Sequence, residues 1–423
     1  MIDVKAVRAD PEPFRRGVAR KGTDPAVVDR LLEADVARRA LQSRTDDLRA
    51  ELKAAGREIA PAAPEAKAAL VESMATLKTE LSQLEKARVE AEETFEGLLL
   101  AIPNPAHESV PDGETDDDNV EVMRSSDPPP EIDGLRDHHD LGTALGVIDT
   151  ESGARVSGSR FAYLLGDAVR IQVALERLAL DLLEPKGFVP VVPPVLVREE
   201  AMYGTGFFPT DRAQIYATEA DDLYLVGTSE VPLAALHADE ILDASDLPLR
   251  YLGISSCFRR EAGTYGKDTR GIFRVHQFDK FEMFSFVEPG ASWDEHDFLL
   301  ECQREVFDAL GLVYRVVNVC GGDLGAPAAK KYDIECWLPS EGRWREATST
   351  SNTTDYQARR LKVRVRDAGS SGTVVAHTLN GTAVAVGRMI TFLLEQGQQP
   401  DGSVVVPDAL VARGAPAVLG PPS

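Results

Sequence analysis

The stretch FRREAGTYGKDTRGIFRVHQFDKFEMF, Phe258 to Phe284, gathers Arg259, Arg260, Lys267, Arg270, Arg274 and Lys280 among recurring aromatics. The rest of the chain has the opposite sign. Its 423 residues carry 69 acidic and 46 basic side chains, a formal net charge of −23. Such a balance argues against promiscuous nucleic-acid binding, because phosphate attraction supplies most non-specific affinity. It leaves room for a local basic surface that meets a polyanion at a defined place.

Read as two strands joined by a polar loop, the stretch puts alternate residues on one face. Arg259 and Glu261 then share a face, and Arg274, Phe278 and Glu282 share the corresponding face of the next strand. A guanidinium fork, two carboxylates and a flat ring suit a nucleotide. The cation takes phosphate, the ring takes adenine, and the carboxylates take ammonium or amino hydrogens. On these residues alone, an ordinary solvated hairpin remains an equal reading.

Upstream, residues 28 to 60 and 65 to 100 are predicted to form two long helices, parted by the proline-containing turn APAAPEA (Ala60 to Ala66). With one seven-residue gap after Ala34, Leu31, Ala34, Leu41, Thr45, Leu48, Leu52, Ala55 and Ile59 fall on a repeat of three- and four-residue steps. So do Leu70, Met74, Leu77, Leu81, Leu84, Arg88, Ala91, Phe95 and Leu98, and such spacing predicts an antiparallel coiled-coil hairpin. Arginines enrich the first helix and glutamates the end of the second, a mixture typical of solvated helix faces.

Two Pro- and Asp-rich stretches, Ile102 to Asn119 and Ser125 to Gly134, mark a linker and the entry to a second domain. The expected division is 1–105 for the hairpin and 106–423 for the remainder. Runs such as FVPVVPPVLV, LYLVGTSEVPL, KFEMFSFV and LVYRVVNV, with helices near Leu164 to Leu183, Trp293 to Leu310 and Ala383 to Glu395, predict an α+β domain on an antiparallel sheet. Neither a P-loop nor a Rossmann glycine signature occurs. The first residues lack a secretory apolar core, and no apolar run approaches a membrane span. Cys257, Cys302, Cys320 and Cys336 form no metal-ligand spacing and read as reduced thiols. A cytoplasmic protein is expected. His138 and His139 are expected on a loop.

Several signatures occur in order along nearly the whole chain: GFVPVVPP (Gly187 to Pro194), VGTSEVPL (Val226 to Leu233), Phe258 to Glu282 itself, GKDTRG (Gly266 to Gly271), REATSTSN (Arg345 to Asn352), DYQARR (Asp355 to Arg360) and NGTAVAVGR (Asn380 to Arg388). Together they closely resemble the bacterial-type seryl-tRNA synthetases, which are class II aminoacyl-tRNA synthetases. In that resemblance GFVPVVPP corresponds to motif 1 at a dimer interface, Phe258 to Glu282 to motif 2, and NGTAVAVGR to motif 3.

The resemblance implies a class II antiparallel core preceded by a tRNA-binding helical arm. It also implies an ATP- and Mg²⁺-dependent ligase that activates L-serine and charges tRNA(Ser), a recognition that extends in the family to tRNA(Sec), as a homodimer with no membrane association. The implied catalytic residues are Arg259 and Arg388. Serine would meet Thr228, Ser229, Glu230, Glu282, Asn380 and Thr382. ATP would meet Arg259, Arg260, Glu261, Val275, Phe278, Glu346, Ala347, Thr348, Ser349 and Arg388, with Glu346 and Ser349 on the metal. Lys267 and Arg270 would face the tRNA acceptor end. Ala383 stands where motif 3 often has a second glycine, and its methyl is expected to narrow the approach to ATP. Two rival readings are a relative that adenylates an amino acid for a carrier protein and a non-catalytic tRNA-binding paralogue. The complete hairpin argues against the first, and the intact set Arg259, Glu261, Glu346 and Arg388 against the second.

Overall fold

The computed structural model describes residues 1–59, 61–130, 134–262, 268, 270–366, 369 and 371–420. Its chain divides into two compact units, Ile2–Pro103 and Asn104–Ser423 together with Met1.

The first unit is built on two long helices, α1 (Ala26–Ile59) and α2 (Pro64–Ala101). Pro61 cannot continue a helix, while Pro64 is tolerated at the first turn of the next. The 3–4 spacing has its physical counterpart in burial. Leu31, Thr45, Leu48, Phe95 and Leu99 are buried, and the remaining heptad positions are shielded in part. Interhelical ion pairs Arg38–Glu92, Arg44–Glu80 and Arg49–Glu85 bridge the two helices, with Arg38 toward the start of α1 meeting Glu92 toward the end of α2, as an antiparallel pair requires. Charged residues also enter the seam. Arg38 lies 4.1 Å over the Phe95 ring, and buried Asp35 meets Arg8, Arg38 and Arg39 at 3.5, 2.9 and 3.1 Å.

The second unit is organised by an eight-stranded sheet: β1 (Val120–Arg124), β2 (Phe188–Val191), β3 (Leu249–Phe258), β4 (Gln277–Val287), β5 (Tyr314–Asn318), β6 (Lys330–Leu338), β7 (Arg343–Asn352) and β8 (His377–Ala385). Their order is β1-β5-β6-β7-β8-β4-β3-β2, antiparallel throughout except for the edge pair β2–β3. Helices α3 (Asp167–Leu183), α5 (Ser292–Ala309) and α7 (Val386–Gln396) contribute to the main core against this sheet. The apolar stripe of α3, Ile171, Ala174, Leu175 and Leu178, meets core residues such as Phe281, Met283 and Val384. Short helices α4 (Glu230–Ala235) and α6 (Tyr356–Leu361) add Leu233 and Leu361 to a second cluster with Phe284 and Phe286. All four cysteines are free and buried. Among the described residues no helix is long and apolar enough to cross a membrane.

Local geometry departs from expectation in three places. β3 ends at Phe258 and β4 begins at Gln277, so Arg259, Glu261 and Arg274 lie beyond the ladder rather than on its faces. Glu261 takes a left-handed φ of 49° there. The run LYLVGTSEVPL is strand only to Leu225, then turns so that Glu230 opens α4. His138 and His139 begin a short helix, His138–Ala144, instead of lying on a loop; buried His138 contacts Glu395 at 3.0 Å.

Candidate active site

Alternation along β4 puts Phe278, Lys280 and Glu282 on one face, while Phe281 and Met283 enter the core. Lys280 and Glu282 are buried and meet at 2.6 Å. The Lys280 ammonium also donates to Thr228 Oγ1 at 2.7 Å, and Thr382 Oγ1 donates to Glu282 at 3.0 Å. Beside this chain lies Glu230, whose Oε1 accepts from the Gln357 amide at 2.7 Å. Burial, reinforced by the nearby Glu282 charge, pushes the Glu230 carboxyl up to about 7. Ser229 is buried next to Glu230, with its Oγ unpartnered among the described residues.

Above this polar floor the loop between β3 and β4 supplies the cleft wall. Arg259 Nε donates to the Gly227 carbonyl at 3.1 Å, and its guanidinium carbon sits 5.4 Å from the Phe278 ring centre. His276 Nδ1 lies 2.9 Å from the Arg259 carbonyl; a carbonyl only accepts, so the ring nitrogen is the donor. Arg274 pairs with Glu261 at 2.7 Å. Asp268 bridges Arg274 and Arg345 at 3.3 and 2.8 Å, and both arginines hold its carboxyl below the usual range despite partial burial.

On the far wall, β7 solves a spacing problem. Glu346 and Ser349 are three residues apart, and in a regular strand they would face opposite sides. A register shift corrects this: Thr348 pairs with Ile334, but Glu346 pairs with Glu335, so Ala347 is the extra residue of a bulge. Ser349 lies opposite Asp333, and Asp333 and Glu335 share a face of β6. Glu346 and Ser349 therefore share that face as well. Arg388 Nη1 reaches Glu346 Oε1 at 2.9 Å and holds this carboxyl well below the ordinary range. Asp333 is buried, paired with Lys331 at 3.1 Å, and burial raises its carboxyl to about 7. Its Oδ1 is unpartnered among the described residues.

Strand β8 uses the same device. Phe281 pairs with Val384 and Glu282 with Thr382, which leaves Ala383 as the extra residue. Thr382 and Ala385 both line the cleft, whereas Ala383 is fully buried in the main core. Its methyl therefore does not narrow the approach, contrary to expectation. Asn380 sits two residues before Thr382 on the same face of β8.

The cleft thus brings together Arg259, Glu261, Val275, Phe278, Glu346, Ala347, Thr348, Ser349, Thr382 and Arg388. The hydrogen-bonded chain beneath adds Thr228 and Glu282, with Glu230 alongside. Arg260 is not brought in. It is exposed, and its guanidinium lies 6.0 Å from the Tyr216 ring. Arg270 pairs with Asp140 and Asp137 at 2.5 and 3.7 Å, and Lys267 lies outside the described residues. Sequence reasoning missed Lys280 as a site residue, although alternation with Phe278 and Glu282 marks its face. It also missed Gln357, Asp268 and Arg345 as site residues, although each lies inside one of the quoted signatures DYQARR, GKDTRG and REATSTSN.

Residues 214–397 match the class II tRNA synthetase core domain (G, H, P, S and T), the class to which this antiparallel sheet and its cleft belong. Residues 1–106 match the seryl-tRNA synthetase N-terminal domain. A serine–tRNA ligase of Mycobacterium marinum is 50% identical over 421 residues, covering 100% of both chains. Seryl-tRNA synthetase from Pyrococcus horikoshii, solved with ATP, superposes with a TM-score of 0.92 at 39% identity, again over 100% of both chains. The cytoplasmic serine–tRNA ligase of Naegleria fowleri, solved with AMP, gives 0.86 at 34% identity over 98% of this chain and 96% of its own. The chain belongs to the seryl-tRNA synthetase family.

Proposed function

We propose that this protein is an ATP- and Mg²⁺-dependent serine–tRNA ligase working from the cleft around Phe278. The observation that carries the reading is the convergence of Arg259, Phe278, Glu346 and Arg388 on one cleft, directly above the buried chain Thr228–Lys280–Glu282–Thr382. Adenine stacks on Phe278, with Glu261 accepting from its amino group and the Val275 backbone adding a contact. Arg259 binds the α-phosphate and the serine carboxylate, whose oxygen attacks phosphorus as pyrophosphate leaves against Arg388. The guanidinium is in place before charge develops, so catalysis is largely positioning and electrostatic stabilisation. No general base is needed, because the carboxylate nucleophile is already ionised; His276 serves to fix the Arg259 backbone. A 3′-terminal tRNA ribose hydroxyl then attacks the adenylate carbonyl carbon and AMP departs.

In this reading the serine ammonium goes chiefly to Glu230, since Lys280 already occupies Glu282 and Thr228. Asn380 and Thr382 lie toward the hydroxyl, and a pocket built to bond that hydroxyl rejects alanine. Mg²⁺ fits Glu346 and Ser349: their oxygens share a face, Arg388 keeps the carboxylate ionised, and an orphaned Asp333 oxygen lies opposite. When bound, the ion neutralises phosphate charge.

The α1–α2 arm contacts tRNA(Ser) by backbone and shape, a mode of recognition that extends to tRNA(Sec). A homodimer is supported by the open edge of β2 and by exposed Val169, Val173, Val189 and Val192. The cytoplasm follows from the role in protein synthesis. The test is serine-dependent ATP–pyrophosphate exchange, followed by aminoacylation of purified tRNA(Ser) with serine, threonine and alanine. Exchange without serine, or charging equal for alanine and serine, sinks the proposal.

A further inference from the structure

The sheet comes apart at the cleft. β7 remains paired with β6 from Arg343 to Asn352, and β8 with β4 from His377 to Ala385. Between themselves, β7 and β8 share only Thr350↔Gly381, Ser351↔Asn380 and Asn352↔Leu379. Continuing that register would place Ser349 opposite Thr382, and there the pairing stops. Both bulged alanines, Ala347 and Ala383, lie just past this fork. Ser349 and Glu346 stand on one prong, and Thr382, beside Glu282, on the other.

Gln303 of α5 fills the fork from the helix-covered side. It is fully buried, and its Nε2 donates to the Ser349 carbonyl at 2.8 Å and to the Thr382 carbonyl at 2.8 Å. Because both partners are carbonyls, only the amide nitrogen can face them, which settles the amide orientation. Its Oε1 is buried without a partner among the described residues. An orphaned buried acceptor is unfavourable, and an apolar side chain of equal length would fill the same space without it. The side chain is therefore present for its two N–H groups. They tie together the two strands at the first position where the ladder no longer does.

We infer that Gln303 is a positioning residue that fixes the gap between β7, which carries the proposed metal ligands Glu346 and Ser349, and β8, which carries Thr382, and so the approach of the serine carboxylate to the α-phosphate. The inference rests on the proposed serine activation. Serine lies against β4 and β8, and ATP keeps Phe278, Glu261 and Arg388 on that same side while meeting β7 only through Glu346 and Ser349, so loosening the tie leaves separate binding nearly intact and degrades the alignment of the metal-held phosphates with the serine carboxylate.

Gln303→Met keeps length and volume and removes both donors. In serine-dependent pyrophosphate exchange, kcat should fall about 30- to 100-fold, since misplacement of about 1 Å costs on that order. The separate Kd values for serine and for ATP should stay within about three-fold, as a KM-against-kcat split requires. Val306→Ala, a cavity variant on the same helix, lowers stability and should leave kcat unchanged. A Met variant with wild-type kcat overturns the inference; so does one whose two Kd values rise as much as kcat falls. If that variant does not fold, Gln303→Glu serves. Buried and protonated, it offers one O–H for two carbonyls, so its kcat should lie between the wild type and a ten-fold loss, roughly. A rate equal to wild type again overturns the inference. Loss of exchange in the wild type itself, by contrast, would overturn the functional reading and not the tie.

Discussion

In the helical unit, Arg44 and Arg49 reach Glu80 and Glu85 at 2.8 Å, and all four side chains are 42 to 49% exposed. In the cleft, Lys280 and Glu282 meet at 2.6 Å with 9% and 2% exposed. The bond lengths are similar and the consequences are not. Water screens and competes for the first kind of pair, which contributes about 0–1 kcal/mol. The second kind is already desolvated, so removing one partner strands the other at a cost of about 3–5 kcal/mol. Apart from buried Asp35, charge on the arm is therefore a matter of surface, whereas charge in the cleft is part of the interior that the sheet had to close around.

The contrast can be broken or sharpened by substitution, beginning where the largest loss is expected. Arg259→Ala should reduce kcat for pyrophosphate exchange by about 10³-fold, on the scale of losing a preorganised charge stabiliser. Arg259→Lys should recover little, because an ammonium lacks the planar fork. Near-normal exchange in the alanine variant would remove Arg259 from the chemistry. Next, Glu282→Ala leaves Lys280 buried without its carboxylate, and urea denaturation should show a loss of about 3–5 kcal/mol. Serine activation should disappear while tRNA retention in filter binding stays close to wild type. Undiminished activation would refute the role given to Glu282.

A pH experiment probes Glu230. Its carboxyl is raised from 4.5 to about 7, so the folded chain holds the proton more tightly than the unfolded one. That contribution to stability is complete below pH 4.5 and is lost as pH climbs through about 7. Glu230→Gln stays neutral, and its stability relative to wild type should rise between pH 5 and 8 by up to about 3 kcal/mol. A difference independent of pH would mean that the group is not buried as described. At the small end, Arg49→Ala on the arm should change stability by less than about 0.5 kcal/mol and leave pyrophosphate exchange untouched. A larger loss would erase the distinction between the two regions.

What could be read from the chain divides along the same line. The arm was legible nearly residue by residue, because one period of 3.5 governs packing over 34- and 38-residue helices. The antiparallel sheet and the site face of β4 followed from alternation. The two bulges did not, since Ala347 and Ala383 look like any strand residue until their partners are known. Periodicity alone would therefore have separated Glu346 from Ser349. Glu261 escaped as well: its left-handed backbone lies beyond the last rung, where alternation no longer applies. Arg260 shares every compositional feature of Arg259, and only the exit direction of the chain after Phe258 sends it outward. Gln303 is distant in sequence from both carbonyls that it serves, so no local rule could have found it.

Most of the arginines in and around the cleft already hold carboxylates of this same chain: Arg274 with Glu261, Arg345 with Asp268, and Arg388 with Glu346, while Arg259 bonds the Gly227 carbonyl. The pocket carries its own counter-ions. Chloride or inorganic phosphate diffusing past meets a neutralised surface and gains little by lingering. In the proposed function a nucleotide enters by trading partners with these carboxylates, a swap that a triphosphate carrying a purine has more groups to complete than a small anion has. The wall is thereby kept selective in a cell crowded with anions.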